Sequence, residues 1–325
     1  MTLYRNRLPQ LDRPDFLSDG GLETSLVFLE GFELPCFAAF PLLVEPEGRA
    51  VLRRYFAPFL QKARREKHGF VLDTATWRAN PEWGAKLGYG PKDLEKAQNT
   101  AVAFAVDLRR DYATVATPIV INGVVGPRGD GYKVDARMSA DEAADYHSAQ
   151  IGAFRDTEAD MVSAITMTYP EEAVGIALAA QANGLPSVIS FTVETDGRLP
   201  SGHTLGEAIA QVDAATRRAP AYYMINCAHP SHFEDALIPD APWLDRIGGV
   251  RANASSLSHA ELDAATELDA GDPTALARNY RELRSRLRRL SVFGGCCGTD
   301  HRHIAAICDA CLAPSHMPPE RALTA

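Results

Sequence analysis

Eight short runs of β-forming residues punctuate the chain, most of them separated by amphipathic helical stretches. The runs are Phe16–Asp19, Phe70–Thr74, Pro118–Asn122, Met161–Ile165, Ser187–Phe191, Tyr222–Asn226, Gly248–Ala252 and Leu290–Phe293. Several are unbroken apolar segments, such as VLD, IVI, SVISF and YYMIN. Unbroken rather than alternating apolar character suits strands covered on both faces, as in a parallel sheet. Between the runs, Pro46–His68 carries Val51, Leu52, Tyr55, Phe56, Phe59, Leu60 and Ala63 at i, i+3, i+4 spacing. Asp93–Tyr112 repeats that pattern. Ser139–Glu158 opens with Ser139 and Glu142 at capping-box spacing, and Pro170–Asn183 stops at Asn183-Gly184. Thr204–Arg218, Thr274–Arg289 and a last helix from near Asp300 complete the set, while Pro230–Trp243 leaves room for only a short helix. This alternation predicts a (β/α)8 TIM barrel with its functional rim at the C-terminal ends of the strands. A barrel needs about 250 residues, and no composition break marks a second domain. Residues 1–325 are therefore read as one barrel domain, with 314–325 as a peripheral tail.

The residues just past each strand then form the rim. Cys227 ends the sixth run, and Cys296 with Cys297 ends the eighth. Strands two apart in the ring can converge on one point above the barrel mouth. Adjacent cysteines on a regular strand would diverge, so the flanking Gly294, Gly295 and Gly298 are expected to turn both sulfurs inward. Three thiolates and one open position make a catalytic rather than a closed zinc arrangement, and soft sulfur selects Zn2+ over magnesium or calcium. Zinc deprotonates a coordinated thiol outright. The implied chemistry is attack by a substrate thiolate on an electrophilic carbon.

Composition narrows the partners. A formal net charge of -9 argues against nucleic acid, which demands a clustered basic face. The basic stretch Arg281–Arg289 has helical spacing and reads as a solvated helix face. No apolar run reaches a membrane-spanning length, and the N-terminal residues lack the apolar region of a signal peptide. We therefore expect a cytoplasmic chain with reduced thiols. Of the six cysteines, Cys308 and Cys311 share a helix face and read as packing, and Cys36 is given no role. His301 and His303 are expected to face solvent or support the site from behind. Small molecules remain the expected partners, and a homo-oligomer is compatible with the sequence.

Four elements carry a family resemblance: Asp19-Gly20-Gly21 with Glu23-Thr24, Gly126-Pro127, Asn226-Cys227, and Gly294-Gly295-Cys296-Cys297-Gly298-Thr299. The Asn253 turn and the segment Ser190–Leu205 add to it. On these residues the chain resembles the zinc-dependent homocysteine S-methyltransferases, including members that use S-methylmethionine or betaine. The resemblance implies a barrel with zinc on Cys227, Cys296 and Cys297, and homocysteine sulfur in the fourth position. It implies a sulfonium or quaternary ammonium methyl donor, with homocysteine giving methionine. Backbone groups at Asp19, Gly20 and Gly21 would seat the acceptor. Asn226, Gly295 and Asn253 would support the zinc loop.

Two departures bear on the substrate. The family's ammonium-binding Glu falls on Ile165 here, which can neither accept a hydrogen bond nor balance a charge. Either Glu194 or Glu23 substitutes, with Thr166 adding a hydroxyl, or the acceptor is a thiol without that amine. After the second strand, Trp77 offers a ring to a methyl-bearing cation, or simply packs, and Arg78 offers a fork to a substrate carboxylate, or faces solvent. Two other readings stay open. One is a corrinoid-protein acceptor on the same fold. The other is a non-catalytic zinc or redox-sensing protein, closed by His301, His303 or Cys308.

Overall fold

The computed structural model describes residues 2–12, 15–134 and 136–312. The expected tail at 314–325 lies outside the described residues. Eight parallel strands close into a barrel: β1 (Phe16–Leu17), β2 (Gly69–Asp73), β3 (Ile119–Val125), β4 (Met161–Met167), β5 (Ser187–Phe191), β6 (Tyr222–Asn226), β7 (Ile247–Ala252) and β8 (Val292–Gly295). Each pairs with the next in sequence, and β1 closes on β8 with Phe16 opposite Val292. The fold is the (β/α)8 TIM barrel that the strand–helix alternation predicts.

Strand ends differ from the sequence reading in both directions. β1 stops two residues early, its pairing with β2 ending at Leu17, although Ser18 N and Asp19 O still bond to Phe293 and Gly295 of β8. β3 and β4 run to Val125 and Met167, beyond the expected ends. The register of β4 against β5 shifts between Ala164 and Met167, a bulge that lifts Thr166 into a left-handed conformation with φ of 67°.

Local signals in the helices hold. The Pro46–Glu66 helix buries Val51, Leu52, Tyr55, Phe56, Phe59, Leu60 and Ala63 against the sheet. Ser139 and Glu142 form the reciprocal capping box of the Ala140–Arg155 helix. The Pro170–Ala182 helix ends at Asn183, followed by Gly184 with φ of 64°. Two short helices, Pro81–Lys86 and His259–Ala264, escape the periodicity because six residues carry less than two turns. No described helix is long and apolar enough to cross a membrane.

Side-chain alternation along the strands makes two cores. In β4, Val162 and Ala164 join the layer between sheet and helices, while Met161 and Ile165 point into the barrel. The interior core contains Phe16, Val71, Val120, Val188, Tyr222 and Val292. A Cβ at Gly69 would lie 2.3 Å from the Phe16 ring, so that ring fills the lower barrel closely. Farther up, the interior turns polar at Asp73, Asn122, Ser163 and Arg251. This change from apolar floor to polar rim marks where chemistry can occur.

Candidate metal centre and active-site cavity

The cysteines expected to converge do so. The sulfurs of Cys227, Cys296 and Cys297 all lie within 4.8 Å of one another, and Cys227 Sγ is 3.5 Å from Cys297 Sγ. Cys227 turns its sulfur inward by adopting a left-handed backbone, φ 56°. The glycines beside Cys296 and Cys297 work differently from expectation. Only Gly298 has a positive φ, 78°. Gly294 and Gly295 are needed because the β1 loop and Thr299 press against them: added Cβ atoms would lie 1.9 Å from Ser18 Oγ and 2.0 Å from Thr299 Oγ1. Thr299 in turn donates to Cys296 O at 2.7 Å and fixes the turn. Tyr280 Oη accepts from Ala252 N and donates to Gly294 O, tying the two strands behind the turn.

Gly20 and Gly21 serve the same close approach. Gly21 N donates to Thr299 O at 2.9 Å, and a methyl on Gly21 would lie 2.6 Å from Cys296 O. Gly21→Ala should therefore destabilise the fold by about 1–3 kcal/mol. Gly152→Ala, in the Ala140–Arg155 helix, where an added Cβ would meet only Asn183 Oδ1 at an ordinary contact distance of 3.7 Å, should be neutral or stabilising by up to about 1 kcal/mol. Urea denaturation of both variants checks the contrast; equal midpoints would refute the close-approach account.

Asn226 braces the cysteine wall from β6. Its Oδ1 accepts from Thr166 N at 3.0 Å and from Ser190 Oγ at 2.6 Å. Its Nδ2 donates to Thr166 Oγ1 at 2.8 Å and reaches Cys296 Sγ at 3.9 Å. The strained Thr166 is thus held by both edges of one amide.

Beneath the sulfurs lies a buried ion network. Arg251 donates through Nη2 to Asp19 Oδ1 at 2.7 Å, through Nη1 to Asp73 Oδ2, and through Nε to Gly295 O at 3.1 Å. Tyr55 Oη donates to the other Asp19 oxygen, and Asn122 Nδ2 to the other Asp73 oxygen. Burial pushes the Asp19 carboxyl up to about 6 despite Arg251. Among the thiols, Cys296 is held below its usual range by hydrogen bonds from Cys227 and Cys297, with Arg251 adding to the effect. Its two neighbours are raised.

The sequence reading missed Tyr132. Its Oη lies 3.1 Å from Cys227 Sγ and 3.4 Å from Cys297 Sγ. Its ring stacks on His259 with centroids 4.1 Å apart. His259 Nε2 donates to Cys227 O at 2.7 Å, and its Nδ1 faces Glu194 Oε1 at 3.2 Å. The only hint was a tyrosine in a glycine-rich segment after β3. Arg251 and Asp73 were missed as well, since a charged residue in a strand gives no sign of its partners.

A cavity of about 490 Å³ opens over the cysteines. Asp19, Gly20, Gly21, Glu23, Trp77, Arg78, Ile165 and Thr166 all line it. Glu194 does not; it is turned toward His259. Asn253 is also outside the lining, buried in the turn after β7, where its N donates to Ala228 O. Of the two expected substitutes, Glu23 is the one that lines the cavity, and burial pushes it up to about 7. Trp77 Nε1 donates to Ile165 O at 3.2 Å. One face of its ring is covered by the Arg78 guanidinium, 4.0 Å from the centroid. Cys36 lines the cavity too, whereas Cys308 packs in the outer core. His301 is exposed. His303 is buried and spent on local bonds, accepting from Asp300 N and donating to Ala270 O.

Residues 16–311 match the profile of the homocysteine S-methyltransferases. The chain belongs to the homocysteine S-methyltransferase family. The matched span contains all three clustered cysteines and every cavity residue named above. No curated protein sequence matches the chain significantly. Among solved structures it is similar to the homocysteine methyltransferase MmuM from Escherichia coli. The oxidized form superposes with a TM-score of 0.71 at 21% identity, covering 91% of this chain and 96% of that one. For the metallated form the values are 0.71 and 20%, covering 94% and 99%; for the apo form they are 0.62 and 18%, covering 92% and 96%. At this identity the likeness establishes the shared barrel.

The donor set fits zinc. It consists of three soft sulfurs in one tight cluster, with Cys227 buried and Cys296 and Cys297 half-buried. Among the described residues no histidine or carboxylate joins them.

Proposed function

We propose that this chain is a zinc-dependent S-methyltransferase that moves a methyl group from a small sulfonium or quaternary ammonium donor to a thiol. The gathering of three cysteine sulfurs at the mouth of a cavity of about 490 Å³ carries this reading. Cys227, Cys296 and Cys297 would hold the metal. Bound there, zinc would supply a thiolate at neutral pH from a thiol that is otherwise only a few per cent ionised.

The chain's own residues prepare the rest. Asn226 orients the Cys296 sulfur, and Arg251 places positive charge near it. The incoming thiol must take the place beside Cys227 and Cys297 where Tyr132 Oη lies. Glu23 is one of the cavity carboxylates that would face a cationic donor. Phe28, Phe37, Phe56 and Leu262 give it apolar walls, which exclude water and align the two reactants for in-line transfer. No general base is required. A cavity of this volume suits two small molecules, which favours a free methyl donor over a corrinoid-bearing protein. The ligand set without a fourth protein donor favours catalysis over a closed sensing site.

Homocysteine, giving methionine, is the first acceptor to test, and 4-mercaptobutyrate, the same thiol without its amine, is the second. Zinc-loaded protein should methylate at least one of them from S-methylmethionine or glycine betaine. Ile165→Glu should raise the rate with homocysteine relative to 4-mercaptobutyrate by about tenfold, the value of one charge-assisted hydrogen bond. Failure of every thiol with every donor, or full activity after metal removal, would overturn the proposal.

A further inference from the structure

Arg78 is 7% exposed, and its guanidinium lies between the rings of Trp77 and Trp83, 4.0 and 3.9 Å from their centroids. It makes one hydrogen bond, from Nη1 to Gly129 O at 2.9 Å. Its Nε is buried without a partner. A guanidinium has five N–H donors, and burying one with a single hydrogen bond and no carboxylate in direct contact is costly. The cavity's nearby carboxylates do not close this gap. Asp130 and Glu23 lie near enough to favour the charged guanidinium, but among the described residues neither makes an ion pair or hydrogen bond with it, and Asp130 Oδ1 accepts from Tyr132 N and Lys133 N. Burial lowers the guanidinium to about 10, so it stays charged at neutral pH. Cation–π contact on both faces holds the planar cation in place while leaving its edge for a ligand.

We propose that Arg78 is an anion subsite of the cavity and binds the carboxylate of a small substrate whose reacting group meets the three cysteines. One loop connects the two ends of that substrate. Gly129 O accepts from both Arg78 and Trp83 Nε1, and three residues later Tyr132 reaches Cys227 and Cys297. A single cation among indoles suits a monocarboxylate better than a phosphate dianion. On the cavity wall, Ile165 offers nothing to an ammonium group. The preferred substrate is therefore a carboxylic acid without an ammonium group facing Ile165. That chemistry belongs equally to a thiol acid as acceptor or an onium acid as donor. The role of the cysteines in this assignment rests on the methyl-transfer reading; the carboxylate contact does not.

Calorimetric titration of the zinc-loaded protein separates the sources. One pair of probes is 4-mercaptobutyrate and 4-mercapto-1-butanol; the other is glycine betaine and choline. In at least one pair the carboxylate should bind about tenfold or more tightly than its alcohol. Arg78→Met should bring that ratio close to one. Arg78→Lys, which keeps the charge but loses the fork, should leave an intermediate ratio and covers the case in which the methionine variant does not fold. Discrimination in the thiol pair assigns the acid to the acceptor, and in the onium pair to the donor. A ratio unchanged by either substitution overturns the subsite. A methyl-transfer assay on the same samples keeps the two readings apart: Arg78-dependent discrimination without transfer removes the proposed function and leaves the subsite standing.

Discussion

Cys296→Ser should lower methyl transfer at least about a thousandfold, equivalent to roughly 4 kcal/mol of lost transition-state stabilisation. Serine is close in size, so the turn held by Thr299 and Tyr280 should survive. What is lost is the thiol held furthest toward its ionised form, beside Arg251 and within reach of Asn226. A serine hydroxyl does not ionise near neutral pH and is a poor ligand for a soft cation. Two sulfurs cannot replace three, so bound zinc should fall with activity. Elemental analysis of the dialysed protein and a methyl-transfer assay measure the two losses, and a thermal melt confirms the fold. A variant that binds no zinc yet still methylates its thiol would refute the metal's role.

Arg251→Met should reduce folding stability by about 3–5 kcal/mol, the usual effect of leaving buried charges without their partner. The guanidinium is 8% exposed and contacts Asp19, Asp73 and the carbonyl of Gly295. Without it, two carboxyls face each other in the upper barrel. Asp19 already sits at about 6 with Arg251 in place. A carboxyl raised above its unfolded value takes up protons on folding, so stability falls as pH rises from about 4 to 6 and levels off above. Losing Arg251 should extend that decline to higher pH. Urea denaturation from pH 5 to 8 measures both effects. The triple variant Arg251→Met, Asp19→Asn, Asp73→Asn removes all three charges and should recover part of the loss. A cost below about 1 kcal/mol for the single variant would show that the network is not a structural pillar of the rim.

The barrel was legible because its evidence is local. Continuous apolar runs at Ser187–Phe191 and Tyr222–Asn226, short and spaced by helical stretches, suit strands covered on both faces. The Ser139–Glu142 box and the Asn183-Gly184 stop act within a few residues of themselves. Once the ring was assumed, the convergence of Cys227 with Cys296 and Cys297 followed from strand order. The expected inward turn was right in outcome and wrong in cause at Gly294 and Gly295. Their role depends on how closely Ser18 and Thr299 approach, and spacing along the chain carries no such distance.

Residue order was enough to specify the barrel, its functional end and the three sulfurs placed there. The surroundings of those sulfurs depend on the folded chain. Tyr132 meets two cysteines from a loop about 95 and 165 positions away, and no local pattern encodes a contact of that separation. Arg251 finds Asp19 and Asp73 across the barrel, and Arg78 finds the ring of Trp83 but, among the described residues, no carboxylate in ion-pair contact. Glu23 faces the cavity while Glu194 turns to His259. For each of these side chains residue type was known from the start. Direction was not, because it is set by packing between segments distant in sequence, and direction decides whether a charge meets a neighbour or a substrate.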